Sequence, residues 1–247
     1  RKQTVITTNE QVADMDGRLR SRLLDGDVVR YVSIKARDYR MREQKHLDDP
    51  ILTNLLDYNQ MSFRSFEIEP SLPNQYRENL QRVLQLALAY AQDPMHYWLA
   101  IVSPSKDEAR EELRFGNGKT HLAAAVAQYR NGEGDEVVFA TVPDIMDYLR
   151  QSFSGSASYH RRFDLLRTID FLVIDDMNLQ EATNWSKEKL FQILDYRYVR
   201  QLPTVITLPD LTAVGPRFRQ RLTDKRRCEI IQIHAPSYAQ RIKHRYP

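Results

Sequence analysis

Cysteine and glycine are scarce in this chain of 247 residues, and long apolar runs are absent. The single cysteine, Cys228, has no partner for an internal disulfide, which excludes a disulfide-rich scaffold and makes a cytoplasmic location the expectation. No run of about eighteen apolar residues occurs, so no membrane-spanning helix and no membrane partner are expected. The formal net charge of +3 permits contact with nucleic acid without requiring it.

The two ends of the chain share one sequence pattern. Residues 4–25, TVITTNEQVADMDGRLRSRLLD, recur at 204–224 as TVITLPDLTAVGPRFRQRLTD, with one residue fewer. Agreement at so many positions in one register indicates a repeat, so we interpret the first segment as the tail of one module. The match continues at three further pairs: Ile34 with Ile233, Ala36 with Ala235, and Tyr39 with Tyr238. The predicted organisation is a first-module tail at 1–45, a linker at 46–60 and a second module at 61–247.

Short apolar segments alternate with segments of helical pattern throughout the second module. Alternation of this kind predicts an α/β fold in which helices flank a parallel sheet on both faces. The segment FLVID is almost wholly apolar, as is typical of a strand that is buried on both sides. Strands are expected at 98–102, 137–142, 171–175, 204–208 and 229–233, and helices at 75–92, 118–130, 143–153 and 184–200.

A glycine-rich stretch, Gly116-Asn117-Gly118-Lys119-Thr120, follows an expected strand and opens an expected helix. This is the context of a phosphate-binding loop, in which glycines let backbone N–H groups approach phosphate oxygens beside the positive end of a helix. We predict that Lys119 contacts the β and γ phosphates of ATP and that the hydroxyl of Thr120 ligates Mg²⁺. The alternative is an ordinary turn with a solvent-exposed lysine.

Two carboxylates, Asp175 and Asp176, end the buried strand FLVIDD. The carboxyl ends of parallel strands form the ligand-binding edge of such a sheet. Asp175 is therefore predicted to hold Mg²⁺, and Asp176 to orient or deprotonate an attacking water molecule. The alternative is a pair of aspartates that cap the next helix.

A basic stretch, PRFRQRLTD, occupies residues 216–224. Arg217, Arg219 and Arg221 alternate along it, so on a helix we expect them to spread over the surface. One hypothesis is an arginine finger directed at the γ-phosphate of a neighbouring module, and the alternative is a solvated basic face.

These stretches together resemble the AAA+ ATPases, in particular the helicase-loader group (DnaC- and DnaI-like) and the IstB-like transposition helpers. GKTHLAAAVA resembles the first motif of the group, FLVIDD the second, and WSKEKLFQILDYRY, LPTVIT and RFRQRL the remainder. The resemblance covers about 61–243, with 1–40 as the end of a preceding copy. It implies a P-loop AAA+ sheet that binds ATP and Mg²⁺. The partners that it implies are single-stranded DNA and either a replicative helicase or a transposase. It also implies that the chain self-associates or that tandem modules stack.

The same resemblance assigns roles to individual residues. Arg221, and Arg22 in the first copy, fall at the position of the arginine finger. Thr207 lies in the turn that detects the γ-phosphate, and His121 follows the loop threonine directly. Within MSFRSF, Phe63 and Phe66 are candidates to pack near the adenine, with plain core packing as the alternative.

The chain departs from the group at two places. The family loop reads roughly GPxGxGKT, whereas here Ser103-Pro104 is separated from the glycines by ten residues, 105–114. Seven of these are charged, and Ser105 with Glu108 forms a capping box, so a short surface helix is expected. We expect the insertion to weaken phosphate binding. Pro209 also replaces the asparagine found at Asn9, so a degenerate module that scaffolds assembly without hydrolysis stays open as an alternative.

DNA contact is assigned by resemblance to residues 148–167. Loaders of this type bind single-stranded DNA through a loop and a short helix in this region, and the alternative is a mobile loop followed by an amphipathic helix. The candidates for phosphate contacts are Arg150, Arg161 and Arg162, and those for stacking on bases are Phe153, Tyr159 and His160.

Overall fold

A computed structural model describes residues 5–6, 8, 12, 15–26, 29–30, 50–94, 97–105, 113–151 and 156–239. The chain divides into two compact units, Arg1–Asp38 and Tyr39–Pro247. The first unit contains helix α1 (Gly17–Leu23), which begins where Asp16 accepts a hydrogen bond from the amide of Arg18 at 2.9 Å. This helix contains no buried residue.

The second unit is built on a five-stranded sheet in which every paired strand is parallel, so the predicted α/β fold is confirmed. The strand order is β2-β3-β4-β1-β5. The pairing register brings Thr141 opposite Asp175, and Ile101 opposite Thr207, at the carboxyl edge of the sheet. The strands are β1 (Trp98–Val102), β2 (Val137–Thr141), β3 (Phe171–Asp175), β4 (Thr204–Leu208) and β5 (Cys228–Gln232).

Helices cover both faces of this sheet, and each face has its own apolar core. None of the helices within the described ranges is long and apolar enough to cross a membrane. The helices of this unit are α2 (Pro50–Thr53), α3 (Asn74–Gln92), α4 (Lys119–Glu133), α5 (Val142–Arg150), α6 (Ser156–Thr168), α7 (Asn184–Arg200) and α8 (Pro216–Leu222), with 3₁₀ turns at Asn54–Tyr58 and Leu211–Ala213.

Helix α4 runs past the Asn131-Gly132 pair at which the sequence pattern suggested its end. It stops at Gly134, whose φ of 103° lies in the left-handed region that favours glycine. The amide of Gly134 bonds to the carbonyl of Asn131 at 3.1 Å, so the helix ends with satisfied backbone groups. An isolated glycine inside a helix is tolerated, which explains why Gly132 does not end it.

Part of the segment expected to be a linker packs against the core. Ile51 and Leu55 are both buried, and each contributes to an apolar cluster of the second unit. The ring of Tyr58 lies 4.4 Å from that of Phe139 on β2. Residues 50–58 therefore add to the packing of the sheet.

Candidate nucleotide-binding site

The glycine-rich loop turns sharply between the end of β1 and the start of α4. Gly116 has a φ of 61° and Gly118 a φ of 111°, both in the region that L side chains rarely adopt. A Cβ atom on Gly118 would also lie 2.9 Å from the ring of Phe66. Glycine is therefore required at Gly118, and the loop leads directly into the N-terminus of α4.

Hydrogen bonds bring the two ends of the inserted segment together. The hydroxyl of Ser103 donates to the carbonyl of Arg114 at 2.7 Å, and the amide group of Asn117 donates to Ser103 Oγ at 2.9 Å. Asn117 is fully buried and also donates to the carbonyls of Leu113 and Ile233. Residues 106–112, and with them the expected capping box and short helix, lie outside the described residues. The end of β1 and the glycine-rich loop are thus held together by Ser103, before the insertion, and by Asn117, after it.

A buried ion pair strengthens this closure. Arg114 Nη2 lies 2.7 Å from Asp210 Oδ2, and Arg114 Nε donates to the carbonyl of Pro104 at 3.3 Å. Burial alone would raise the pKa of Asp210, but hydrogen bonds from Thr212 and Arg114 outweigh it and lower the pKa below its ordinary value. Sequence reasoning missed this pair, because Arg114 counted only as one charge of the insertion and no local signal links it to Asp210.

The side chain of Lys119 is folded against the loop itself. Its Nζ donates to Ser103 Oγ at 2.7 Å, to the carbonyl of Arg114 at 3.0 Å and to Asn117 Oδ1 at 3.3 Å. Burial lowers the pKa of Lys119 to about 8, while the charges of Asp176 and Asp175 act in the opposite direction. The hydrogen bonds to these neutral oxygens therefore do not fully offset the cost of burying the charged ammonium group.

Helix α4 and strand β4 each contribute a hydroxyl to the carboxylate of Asp175, at the end of β3. Asp175 Oδ2 accepts a hydrogen bond from Thr120 Oγ1 at 2.9 Å, and Oδ1 accepts one from Thr207 Oγ1 at 2.7 Å. Burial raises the pKa of Asp175, and these two hydrogen bonds partly offset the rise. Within the described ranges, no group of three or more His, Cys, Asp or Glu residues is arranged to hold a metal ion.

The neighbouring carboxylate, Asp176, is exposed and sits in a tight turn. Its φ of 50° is unusual for a residue other than glycine, and its amide donates to Thr207 Oγ1 at 2.7 Å. Thr207 is buried, so one hydroxyl anchors both aspartates. The carbonyl of Pro209 accepts a bond from the amide of Ser103 at 3.2 Å, which extends the pairing of β4 with β1 to the loop.

His121 and Phe66 join the MSFRSF segment to the loop. His121 Nε2 lies 2.9 Å from the carbonyl of Ser62, so this nitrogen carries the proton. The ring of Phe66 meets that of His121 edge-on at 5.2 Å. Phe63 instead packs against Tyr129. Only Phe66 of the two candidate aromatic residues therefore touches the loop.

The three arginines of α8 lie on two sides of the helix. Arg217 and Arg221 are four residues apart and share one helix face, where their guanidinium groups lie 3.6 and 4.5 Å from the ring of Phe191. Arg219 lies apart from them and donates to the carbonyl of Leu211 at 3.1 Å. In the first unit, the aligned residue Arg22 is on the exposed helix α1.

The candidate DNA contacts differ in their availability. Arg162 donates to the carbonyl of Tyr148 at 2.6 Å and stacks on its ring, and Arg150 pairs with Asp147 at 3.1 Å. Arg161 and His160 are exposed, whereas Tyr159 is half-buried. Phe153 lies outside the described residues.

The strand order, the glycine loop at the start of α4 and the aspartates at the end of β3 define a P-loop nucleotide-binding protein of the AAA+ class. Solved structures show the same fold. Domain III of the Thermotoga maritima replication initiation protein DnaA has a TM-score of 0.57 and 18% identity, covering 75% of this chain and 71% of that one. A DnaC helicase loader structure has a TM-score of 0.54 and 17% identity, covering 72% and 98%. A DnaI structure has a TM-score of 0.54 and 18% identity, covering 73% and 92%.

The chain belongs to the IstB-like ATP-binding protein family, whose family model matches residues 114–245, more than half of the chain. The predicted AAA+ resemblance is thereby confirmed, whereas the tandem copy stays a prediction. The replicative helicase loader DnaC of Escherichia coli K12 is 32% identical over 114 residues, 45% of this chain and 46% of that protein. DnaC of Buchnera aphidicola subsp. Schizaphis graminum is 27% identical over 142 residues, 57% and 52%. The chain spans about half the length of the curated relatives that it matches.

Proposed function

We propose that this chain is a DNA-directed ATPase that serves as a helicase loader or as a transposition regulator. The observation that carries the proposal is the convergence of Lys119, Thr120 and Asp175 at the carboxyl edge of the sheet. Each comes from an element whose position the parallel sheet determines, and the chain's family is one of ATP-binding proteins. In this proposal Gly116, Asn117 and Gly118 shape the loop and Lys119 contacts the phosphates.

The residues present fit Mg²⁺. Thr120 Oγ1 and Asp175 Oδ2 are 2.9 Å apart, and hydroxyl and carboxylate oxygens are the ligands that this hard cation prefers. We assign both residues to the ion, which when bound neutralises phosphate charge. Asp175 has to be ionised in this role, and its hydrogen bonds from Thr120 and Thr207 favour the ionised form against the effect of burial.

Asp176 is the proposed general base or water-orienting residue. Its carboxylate is exposed while its backbone is held by Thr207, so the chain has a mobile proton acceptor on a fixed backbone. Thr207 acts in this scheme by fixing the two aspartates. Its hydroxyl is already used for these bonds, which supports an anchoring role more than direct sensing of a phosphate.

The DNA and partner assignments are supported by the relatives. Two of them carry the name replicative helicase loader, and a DnaA structure that shares the fold is described as bound to AMPPCP and single-stranded DNA. We propose a replicative helicase as the first partner to test and a transposase as the second. Arg161, which is exposed, is proposed as the primary phosphate contact and His160, which is exposed too, as a residue that stacks on a base, whereas Arg150 and Arg162 are held by Asp147 and by the carbonyl of Tyr148.

A non-hydrolysing scaffold is the second candidate. The contacts of Lys119 favour it, because three oxygens of the loop already occupy its ammonium group and must be exchanged for phosphate. Pro209 favours it as well, since proline has no side-chain amide with which to detect a γ-phosphate.

Titration with labelled ATP and Mg²⁺, followed by a turnover assay with and without single-stranded DNA, separates the two candidates. We expect Lys119→Ala to weaken ATP binding by about a hundredfold or more, because a buried charge contact to phosphate is lost. Lys225→Ala, which changes an exposed lysine of the same unit, is the matched control and leaves binding unchanged. Absence of binding at millimolar ATP contradicts the ATPase proposal, and tight binding without turnover selects the scaffold.

A further inference from the structure

Arg221 is held in place by residues of α7. Its guanidinium carbon lies 4.5 Å from the centre of the Phe191 ring and 5.5 Å from that of Tyr198. These contacts restrict the plane of the guanidinium group while 20% of the side chain stays exposed. An arginine that is confined in this way loses less conformational entropy when it binds an anion.

A carboxylate on α7 determines which edge of the guanidinium is available. Asp195 Oδ1 accepts hydrogen bonds from Arg221 Nε, at 3.1 Å, and from Arg221 Nη2. On the other side, Arg221 Nη1 donates to the carbonyl of Arg217 at 3.0 Å. Guanidinium has five N–H groups, and these bonds use three of them.

Two N–H groups of the guanidinium take no part in these three bonds. One is on Nη1 and the other on Nη2, at the end of the side chain. Within the part of the chain that the structure describes, the hydrogen bonds of the Arg221 guanidinium are those to Asp195 and to the carbonyl of Arg217. Two parallel N–H groups at the end of the side chain match the oxygens of a phosphate. Asp195 thus binds the edge of the guanidinium formed by Nε and Nη2. The edge formed by Nη1 and Nη2 is the one that matches an oxyanion.

We propose that Asp195 is a positioning residue that orients Arg221 toward the γ-phosphate of ATP bound by another copy of this chain. The inference rests on the proposed ATPase function and gives a role to Asp195, which lies within the WSKEKLFQILDYRY stretch but to which the sequence analysis assigns none. The Asp195 carboxylate offsets the charge of Arg221 and so reduces its general attraction for anions. The benefit of Asp195 to catalysis therefore lies in the orientation of the Arg221 guanidinium, not in its charge. A misplacement of about 1 Å at a reacting centre lowers a rate by about a hundredfold.

The neighbouring pair on the same helix provides a matched control. Arg217 Nη1 is 3.4 Å from Glu188 Oε2, and the Arg217 side chain is 62% exposed. This pair also joins α8 to α7 and also lies beside Phe191, but it is longer and mostly in solvent. Glu188→Gln therefore tests whether any loss is specific to the oriented arginine.

The experiment compares wild type, Asp195→Ala, Asp195→Asn, Arg221→Ala and the double variant Asp195→Ala/Arg221→Ala. We expect Asp195→Ala to lower kcat by about ten- to a hundredfold with an unchanged Kd for ATP, and Asp195→Asn, which keeps the side-chain shape, to show a smaller loss. Glu188→Gln stays within about twofold of wild type. The double variant is no slower than Arg221→Ala alone, because Asp195 acts only through Arg221.

Mixing subunits tests whether the arginine acts between copies. Asp195→Ala subunits keep their own Lys119, and Lys119→Ala subunits keep an oriented Arg221, so a mixture of these two impaired species is expected to turn over ATP faster than either species alone. A mixture of Asp195→Ala with Arg221→Ala is expected to turn over no faster than Asp195→Ala alone.

The outcomes distinguish this inference from the function on which it rests. If wild type binds ATP without turnover, the proposed ATPase function falls and the positioning role falls with it. If wild type turns ATP over but Arg221→Ala leaves kcat unchanged, Arg221 is not the finger, so the positioning role falls while the ATPase function stands. If Arg221→Ala lowers kcat but Asp195→Ala and Asp195→Asn do not, only the positioning role is overturned. Independent, multiplicative losses in the double variant overturn it too, since they show that Asp195 acts elsewhere.

Discussion

Helices α1 and α8 have the same R-x-R-x-R-L pattern and the same length, but they differ in what they pack against. Each is followed by a residue with nearly identical backbone angles, φ −90° and ψ 0° at Leu24, and φ −92° and ψ 0° at Thr223. Phe218 on α8 is 7% exposed, whereas the aligned Leu19 on α1 is 57% exposed. The local sequence thus suffices for the helix, and the burial of its apolar face depends on the rest of a module.

The two helices also begin differently. Asp16 caps α1 through its side chain, whereas Gly215 precedes α8 without a side-chain cap and Pro216 occupies the first turn. A short helix is marginal by itself, so α1 depends on its cap, while α8 gains stability from Phe218 and Leu222. The comparison separates local from tertiary stabilisation within one repeated pattern.

The largest expected difference between the two helices concerns Arg221 and Arg22, the residues proposed at the finger position. Arg221→Ala is expected to lower ATP turnover by about a thousandfold, the effect of removing an arginine finger, whereas Arg22→Ala stays within a few-fold of wild type. The reason is that Arg221 is oriented by Asp195 and Phe191, while α1 has no buried residue to orient Arg22. Steady-state ATPase rates of the two variants measure the difference. A larger loss of turnover in Arg22→Ala than in Arg221→Ala would show that Arg22, not Arg221, acts as the finger.

The next difference concerns stability. Phe218→Ala is expected to lower the free energy of unfolding by about 3–5 kcal/mol, since it leaves a cavity between α8 and α7. Leu19→Ala at the aligned exposed position is expected to change it by less than about 0.5 kcal/mol. Urea unfolding followed by circular dichroism measures both. Equal losses would mean that α1 packs on a core as α8 does.

A third prediction concerns Lys119, which belongs to the same compact unit as helix α8. Because burial lowers the pKa of Lys119 to about 8, its ammonium is mostly charged at pH 7 and loses its proton as the pH rises through 8. Phosphate binding requires the charged form, so ATP affinity is expected to fall by up to about tenfold per pH unit above pH 8.

Fluorescence titration between pH 7 and 9.5 measures this dependence. Lys119→Arg is the matched variant, because arginine keeps its charge throughout this range and its affinity is expected to stay level. An affinity in wild type that does not change between pH 7 and 9.5 would contradict the assignment of Lys119 to the phosphates.

The smallest effect concerns the caps. Gly215→Asp transfers the cap of α1 to α8, and it is expected to raise the free energy of unfolding by about 0.5–1 kcal/mol. A Cβ atom at Gly215 meets no atom within 4 Å, and its φ of −70° suits any residue. Thermal unfolding measures the change, with Gly215→Ala as the control for backbone entropy alone. A lower stability would show that the start of α8 does not tolerate a side chain.

Much of the fold was predictable because its elements have strong local patterns. FLVID and TVITL were predicted as strands with the bounds that the structure has, and helix α7 was predicted at 184–200. The start of α4 followed from the glycines before Lys119. In contrast, the packing of Ile51 and Leu55 was missed, since their short helical turns carry no periodic pattern of their own.

The site was predictable in its motif residues but not in its supporting contacts. Lys119, Thr120 and Asp175 were singled out from sequence, and the structure brings the Thr120 hydroxyl and the Asp175 carboxylate together. Arg114 with Asp210, and Arg221 with Asp195, escaped sequence reasoning, because each pair joins residues far apart in the chain. Nothing local distinguishes a paired arginine from one that faces solvent.

The sequence by itself predicted the order of the five strands along the chain, helices α3, α4, α5 and α7, and the glycine loop, since these depend on side-chain periodicity and on the backbone freedom of glycine. Only the tertiary structure decided that Ser103 and Arg114 meet across the insertion, that Thr207 anchors both aspartates, and which edge of Arg221 is available. The physical reason is that hydrogen bonds and ion pairs between distant residues form only when folding brings them within about 3 Å.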